Sequence, residues 1–76
     1  MRSGLQNDVL ILYRDCWRAA RSKPLQSRPH WYQFIREQFR QHQNIPRSDF
    51  NTVEYYVRRG RRQLEIYSQP SITDIH

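Results

Sequence analysis

Among the side chains able to do chemistry in this chain, arginine dominates. Thirteen basic residues stand against seven acidic ones for a net charge of +6, and since Lys23 is the sole lysine, the other twelve are Arg. Arginine presents a planar fork of donors that pairs with carboxylates and phosphates, and it tolerates partial desolvation better than an ammonium group. With a pI of 10.3, the chain calls for an anionic partner, either an acidic protein face or a nucleic acid.

The other reactive types do not assemble into a catalyst. His30, His42 and His76 have no metal-ligand spacing with one another. His42 reads as a capping or packing residue of its helix. The seven acids are scattered, with no paired-carboxylate arrangement for acid–base work. Cys16 is the only cysteine, which excludes an internal disulfide and a Cys-based zinc or iron–sulfur site. It falls on an apolar helix face, where inert packing outweighs nucleophilic work. Arg59-Gly60-Arg61 lies inside a helical pattern and not after a strand, so it is no phosphate loop. The reading is a binding protein, not an enzyme, with no cofactor of its own.

At 76 residues the chain is one small domain. A chain of this size buries only about 60 % of the surface its unfolded form exposes, and small scaffolds rely on disulfides, metals or partners for stability. With the first two excluded, a partner remains. No apolar run approaches the roughly 18 residues of a membrane span. Helical periodicity begins within about five residues of the start, so no separate secretory leader is expected.

Apolar spacing predicts three helices, over about residues 5–21, 30–43 and 49–68, and hence an all-α, antiparallel three-helix bundle. The first carries Leu5, Val9, Leu12, Tyr13, Cys16, Trp17 and Ala20 on one face, with Ser3 and Gln6 as a capping box. The second carries Trp31, Phe34, Ile35, Phe39 and His42 inward, with Ser27 as cap and Pro29 in the first turn. The third repeats Phe50, Val53, Val57, Gly60, Leu64 and Tyr67 at three and four. Prolines break the pattern between the helices. Residues 71–76 read as a tail that frays or docks on a partner.

Placed at about 100° per residue, several arginines point away from this core. Arg14, Arg18 and Arg21 form an outer stripe on the first helix, and Arg36 and Arg40 one on the second; for these a solvated face is the favoured reading. On the third helix Arg58, Arg59 and Arg62 lie outside with Tyr55 and Ile66. Aromatic and aliphatic residues at both ends of an arginine stripe mark an interface, so this stripe reads as a binding surface. Gly60 sits on the inner seam, where it costs about 1 kcal/mol relative to Ala. It reads as a close-packing site against Trp17, Trp31 or Phe39, or as a notch that admits something from outside, with packing favoured.

Leu12-Tyr13-Arg14 in the first helix of a small basic three-helix chain resembles the motif of the LYR family. Ile35-Arg36 and Phe39-Arg40 match that family's second-helix pattern. Phe39-Arg40-Gln41-His42, Pro46-Arg47-Ser48-Asp49, Glu54-Tyr55 and Arg58-Arg59-Gly60-Arg61-Arg62-Gln63-Leu64 resemble the branch that assembles succinate dehydrogenase, complex II. The resemblance is weakest between Ser22 and Trp31 and beyond Ile66.

It implies a mitochondrial matrix protein that chaperones the iron–sulfur subunit of succinate dehydrogenase during cluster insertion and shields the clusters from oxidants. By the same resemblance Arg58, Arg59, Arg61 and Arg62 would meet that client. A mitochondrial acyl carrier protein is a second implied partner, its acyl-phosphopantetheine arm entering between the helices. Tyr13 and Arg14 would then lie near the prosthetic group, Arg36 and Arg40 would face acidic carrier residues, and Phe39 would line the acyl tunnel. The resemblance raises the acyl-chain notch at Gly60 to equal standing with plain packing. An iron–sulfur transfer cochaperone is a further implied partner. Other LYR proteins serve complex I or the cysteine desulfurase, and those remain alternatives. A basic helical nucleic-acid binder is a remote one: the 44–47 connection lacks the Gly-containing tight turn of a helix-turn-helix, and the tail carries no Lys.

Overall fold

The structure, a computed structural model, describes residues 4–46 and 48–75. Ser3, Arg47 and His76 lie outside that set, and with Ser3 the expected capping box. Three helices follow in order: α1 (Gly4–Arg21), α2 (Arg28–Gln41) and α3 (Phe50–Tyr67). Among the described residues there is no strand, and no helix is long and apolar enough to cross a membrane.

Local chemistry explains the helix starts. Asp49 caps α3, its carboxylate accepting from the Thr52 backbone N–H at 3.4 Å and from the Thr52 hydroxyl at 2.8 Å. This satisfies one of the orphan donors of a first turn. Pro29 sits in the first turn of α2, where a missing N–H is harmless. Ser27 holds the N-cap position, but its side chain makes no capping bond. The buried hydroxyl instead donates to the Thr73 carbonyl at 2.6 Å. The cap expected there is corrected: a tertiary hydrogen bond has taken the side chain.

The central element is α1, which packs against both α2 and α3, while no Cα of α2 comes within 8 Å of one in α3. α2 and α3 run antiparallel, with ring contacts near both ends. His42 meets Tyr56 with ring centroids 3.9 Å apart at one end, and Trp31 and Phe34 each meet Tyr67 at 5.6 Å at the other. Side-chain aromatics hold the α1–α2 seam, Tyr13 on Phe39 at 4.5 Å and Trp17 on Tyr32 at 4.7 Å.

The core is consequently small. Leu12, Ala20, Trp31 and Ile35 are the buried apolar residues, and α3 buries none. Leu5, Val9, Tyr13, Cys16 and Trp17, on the predicted inner face of α1, are half-buried, because α1 faces the gap between its two neighbours. Phe50, expected to open the α3 seam, is 57 % exposed. It is the first residue of the helix, one turn short of where Val53 and Tyr56 reach the interior.

The expected frayed or partner-docked tail is also corrected. Residues 70–75 fold back across the end of the bundle, and Ile72 and Ile75 pack against the cluster of Ala20, Trp31 and Ile35. Lys23, only 4 % exposed, donates from Nζ to the carbonyls of Gln69 at 3.1 Å and Ile72 at 2.5 Å. Burial lowers its pKa from the ordinary lysine value. Trp31 Nε1 donates to the Thr73 carbonyl at 3.2 Å, and His30 Nδ1 lies 2.8 Å from Asp74 Oδ1.

Candidate partner-binding site

Because α2 and α3 stand apart over α1, they leave an open apolar groove of about 730 Å³. Leu12, Cys16 and Ala20 of α1 form its floor, Ile35 and Phe39 one wall, Val57 and Leu64 the other. Gln38 and Gln63 supply polar groups among the lining residues, and Lys23, Trp31 and Tyr67 line the end beside the C-terminal segment. Known small-molecule sites span about 300–1,000 Å³ and are similarly apolar with a few polar groups. Among the described residues no group of three or more His, Cys, Asp or Glu side chains comes together to hold a metal.

Burial raises the pKa of Cys16 to about 11; Arg61 opposes that shift and Asp15 adds to it. At neutral pH the groove floor therefore carries a neutral thiol.

Tyr13 borders both this groove and a shallow outer depression shared with Leu10, Arg14, Trp17, Arg18 and Arg21. Arg36 lies over the Trp17 ring, 5.5 Å from its centroid. Arg40 is exposed one turn further along α2. Tyr13, Arg14, Arg36, Phe39 and Arg40 are thus brought to one α1–α2 face, with Phe39 turned into the groove. Leu12 of the tripeptide is buried at 4 % exposure and contributes to the groove floor.

The α3 stripe is largely where the spacing put it. Tyr55 is 59 % and Ile66 46 % exposed, with Arg59 and Arg62 exposed between them. Neither arginine has an ion-pair partner among the described residues. Arg58 is exposed but engaged by Glu54 of its own helix. Arg61, also expected at the client, keeps a side chain 42 % exposed and donates from Nη1 to Asp15 Oδ2 of α1 at 2.8 Å.

Gly60 packs against Leu12 and also lines the groove. A Cβ built there would lie 2.7 Å from Leu12 Cδ2, so α3 approaches α1 closely at this point. The nearest packing atoms belong to Leu12, not to Trp17, Trp31 or Phe39. A double-mutant cycle reads this contact. Gly60→Ala alone gains about 1 kcal/mol of helix propensity and loses a similar amount displacing the δ-methyl, leaving stability nearly unchanged. In a Leu12→Val background the obstructing atom is gone, and Gly60→Ala should stabilise by about 1 kcal/mol. Urea melts of the four proteins measure the coupling; additive effects would show that Leu12 and Gly60 do not share the space.

Sequence reading missed Lys23 and Asp15 as organising residues. Lys23 had one available signal, a lone lysine where every other basic residue is arginine.

Comparison with known proteins matches residues 7–66 to the family model described as Complex 1 protein (LYR family). The chain is 40 % identical over 74 residues to "Succinate dehydrogenase assembly factor 1, mitochondrial" of Saccharomyces cerevisiae (strain ATCC 204508 / S288c), covering 97 % of this chain and 94 % of the relative. Its identity to the protein of the same name from Schizosaccharomyces pombe is 42 % over the same shares. For the Bos taurus protein of that name it is 49 % over 65 residues, 84 % of this chain and 50 % of the relative. No solved structure matches. With the tripeptide, the helical fold and the family model agreeing over most of its length, the chain belongs to the LYR family.

Proposed function

We propose that this chain is a non-enzymatic mitochondrial matrix assembly factor for complex II. It binds the iron–sulfur subunit of succinate dehydrogenase through the outer face of α3 and protects it while clusters are inserted. An acyl carrier protein docks across the α1–α2 face and lays its acyl arm in the groove. The names of the relatives support complex II over complex I or the cysteine desulfurase as the destination.

The observation that carries the reading is the open apolar groove of about 730 Å³, in a chain whose third helix buries no residue. An unfilled interior of this kind loses dispersion contacts and hydrophobic stabilisation that an occupant would restore. The residues present fit an acyl-phosphopantetheine group: the apolar floor suits the acyl chain, which when bound supplies the missing packing. Arg14, Arg36 and Arg40 suit the acidic groups of a carrier. Arg36 over the Trp17 ring and Arg59 and Arg62 between Tyr55 and Ile66 stand beside aromatic or aliphatic neighbours, which favours protein partners over nucleic acid.

Cys16 is a native reporter for this arrangement because it lines the groove floor. Iodoacetamide should alkylate it slowly at neutral pH, faster as the pH rises toward about 11, since the thiolate is the nucleophile. Acylated carrier protein should suppress the reaction, whereas unacylated holo-carrier should leave it nearly unchanged. Equal protection by both carriers, or by neither, would show that the acyl chain does not enter the groove.

A further inference from the structure

The carrier reading gives no role to residues 70–75, the segment that crosses one end of the bundle. Besides its contacts with Ser27 and His30, it reaches the end of the groove. Of the three side chains lining that end, Lys23 is held by the carbonyl of Ile72 within the segment and of Gln69 just before it, and Trp31 by the carbonyl of Thr73. The third, Tyr67, sets its ring against Trp31 and leads directly into the segment. Lys23 Nζ also lies 4.8 Å from the Trp31 ring centroid, so the two side chains brace each other.

Neither would keep its place without those carbonyls. A lysine is almost never fully buried unless its ammonium is satisfied, and a buried indole N–H needs an acceptor. Released, Lys23 would extend its four-carbon stem toward water and Trp31 would lose its anchor. Ile72 and Ile75, packed on Ala20, Trp31 and Ile35, hold the segment down independently of these polar contacts.

We infer that residues 70–75 are a strap that, acting through Lys23 and Trp31, forms the end wall of the groove and sets the longest acyl chain it accepts. The inference rests on the groove reading above. Between Val9 and Ala20, which both line the groove, the α1 floor is about 16 Å long at 1.5 Å per residue. An acyl chain that runs along this floor toward Ala20 meets the wall once it outgrows the stretch between its point of entry and Lys23. Lys23 and Trp31 are then the residues that determine length, and the strap positions them.

The test uses carrier protein loaded with octanoyl, dodecanoyl, hexadecanoyl or octadecanoyl chains. Binding is measured for the full chain, for the chain truncated after Pro70, and for Ile72→Ala with Ile75→Ala, with helicity checked by circular dichroism. The full chain should tighten with length and then weaken at the longest chains. Both strap variants should bind octadecanoyl carrier about tenfold tighter than the full chain does, with octanoyl binding changed by less than about threefold. If truncation costs the helices, the double alanine variant alone carries the comparison. An identical length profile in full chain and variants would overturn the inference, as would a uniform loss at every length. Full-chain binding that ignores chain length would also overturn it, yet leave the carrier reading standing. If the full chain binds no acylated carrier at all, the groove reading itself falls.

Discussion

Arg59→Glu combined with Arg62→Glu should abolish capture of the iron–sulfur subunit while leaving helicity unchanged. Both side chains are exposed on α3 between Tyr55 and Ile66, and neither has an internal ion-pair partner among the described residues. Their reversal therefore costs the fold little. At an interface the result is different, because a desolvated charge contact typically costs about 2–5 kcal/mol when broken, roughly a hundredfold or more in affinity.

Arg61 is a poor choice for the same experiment, since its partner is Asp15 and its loss would loosen α3 from α1. The control is Arg18→Glu with Arg21→Glu, an equal charge change on the far stripe of α1. Pull-down of the subunit by each double variant provides the readout. If both pairs weaken capture equally, bulk electrostatics drives the association and the α3 stripe is not a specific surface.

The second large effect is on stability. Among the described residues four apolar side chains make up the buried core and no cluster of metal ligands forms, and a single cysteine excludes an internal disulfide. Alone it should unfold at low temperature over a broad transition. A partner that binds only the folded form at 100 times its dissociation constant adds about 2.7 kcal/mol. In a domain of this size each kcal/mol moves the melting temperature by about 4–8 °C, so acylated carrier should raise it by roughly 10–20 °C. Holo-carrier without the acyl chain should give a smaller rise, because surface charge contacts contribute little beside a filled groove. A high, cooperative melting temperature for the chain alone, unmoved by acylated carrier, would contradict this account of its stability.

The amino-acid sequence by itself determined the helices and their faces. Spacing at three and four places Leu12, Trp31 and Ile35 inside and Arg59 and Arg62 outside whatever the partner, since side-chain direction along a helix follows from its period. The one cysteine and the scattered histidines and acids were equally legible, as was the Leu12-Tyr13-Arg14 tripeptide.

Tertiary structure alone decided how far apart the helices stand. Periodicity says that Val57 and Phe39 face inward; it does not say that the backbones of α2 and α3 stand apart and leave a groove between them. The contacts that decide this join residues distant in sequence: Lys23 with Gln69, Trp31 with Thr73, Arg61 with Asp15, and Leu12 with Gly60. Local pattern is blind to such pairs, because a helix period specifies direction from its own axis and nothing about which distant backbone carbonyl or methyl lies there. Hence the pattern assigns Lys23 nothing beyond its charge and reads residues 71–76 as a tail that frays or docks on a partner, although folding ties Lys23 and Trp31 to carbonyls of residues 69, 72 and 73.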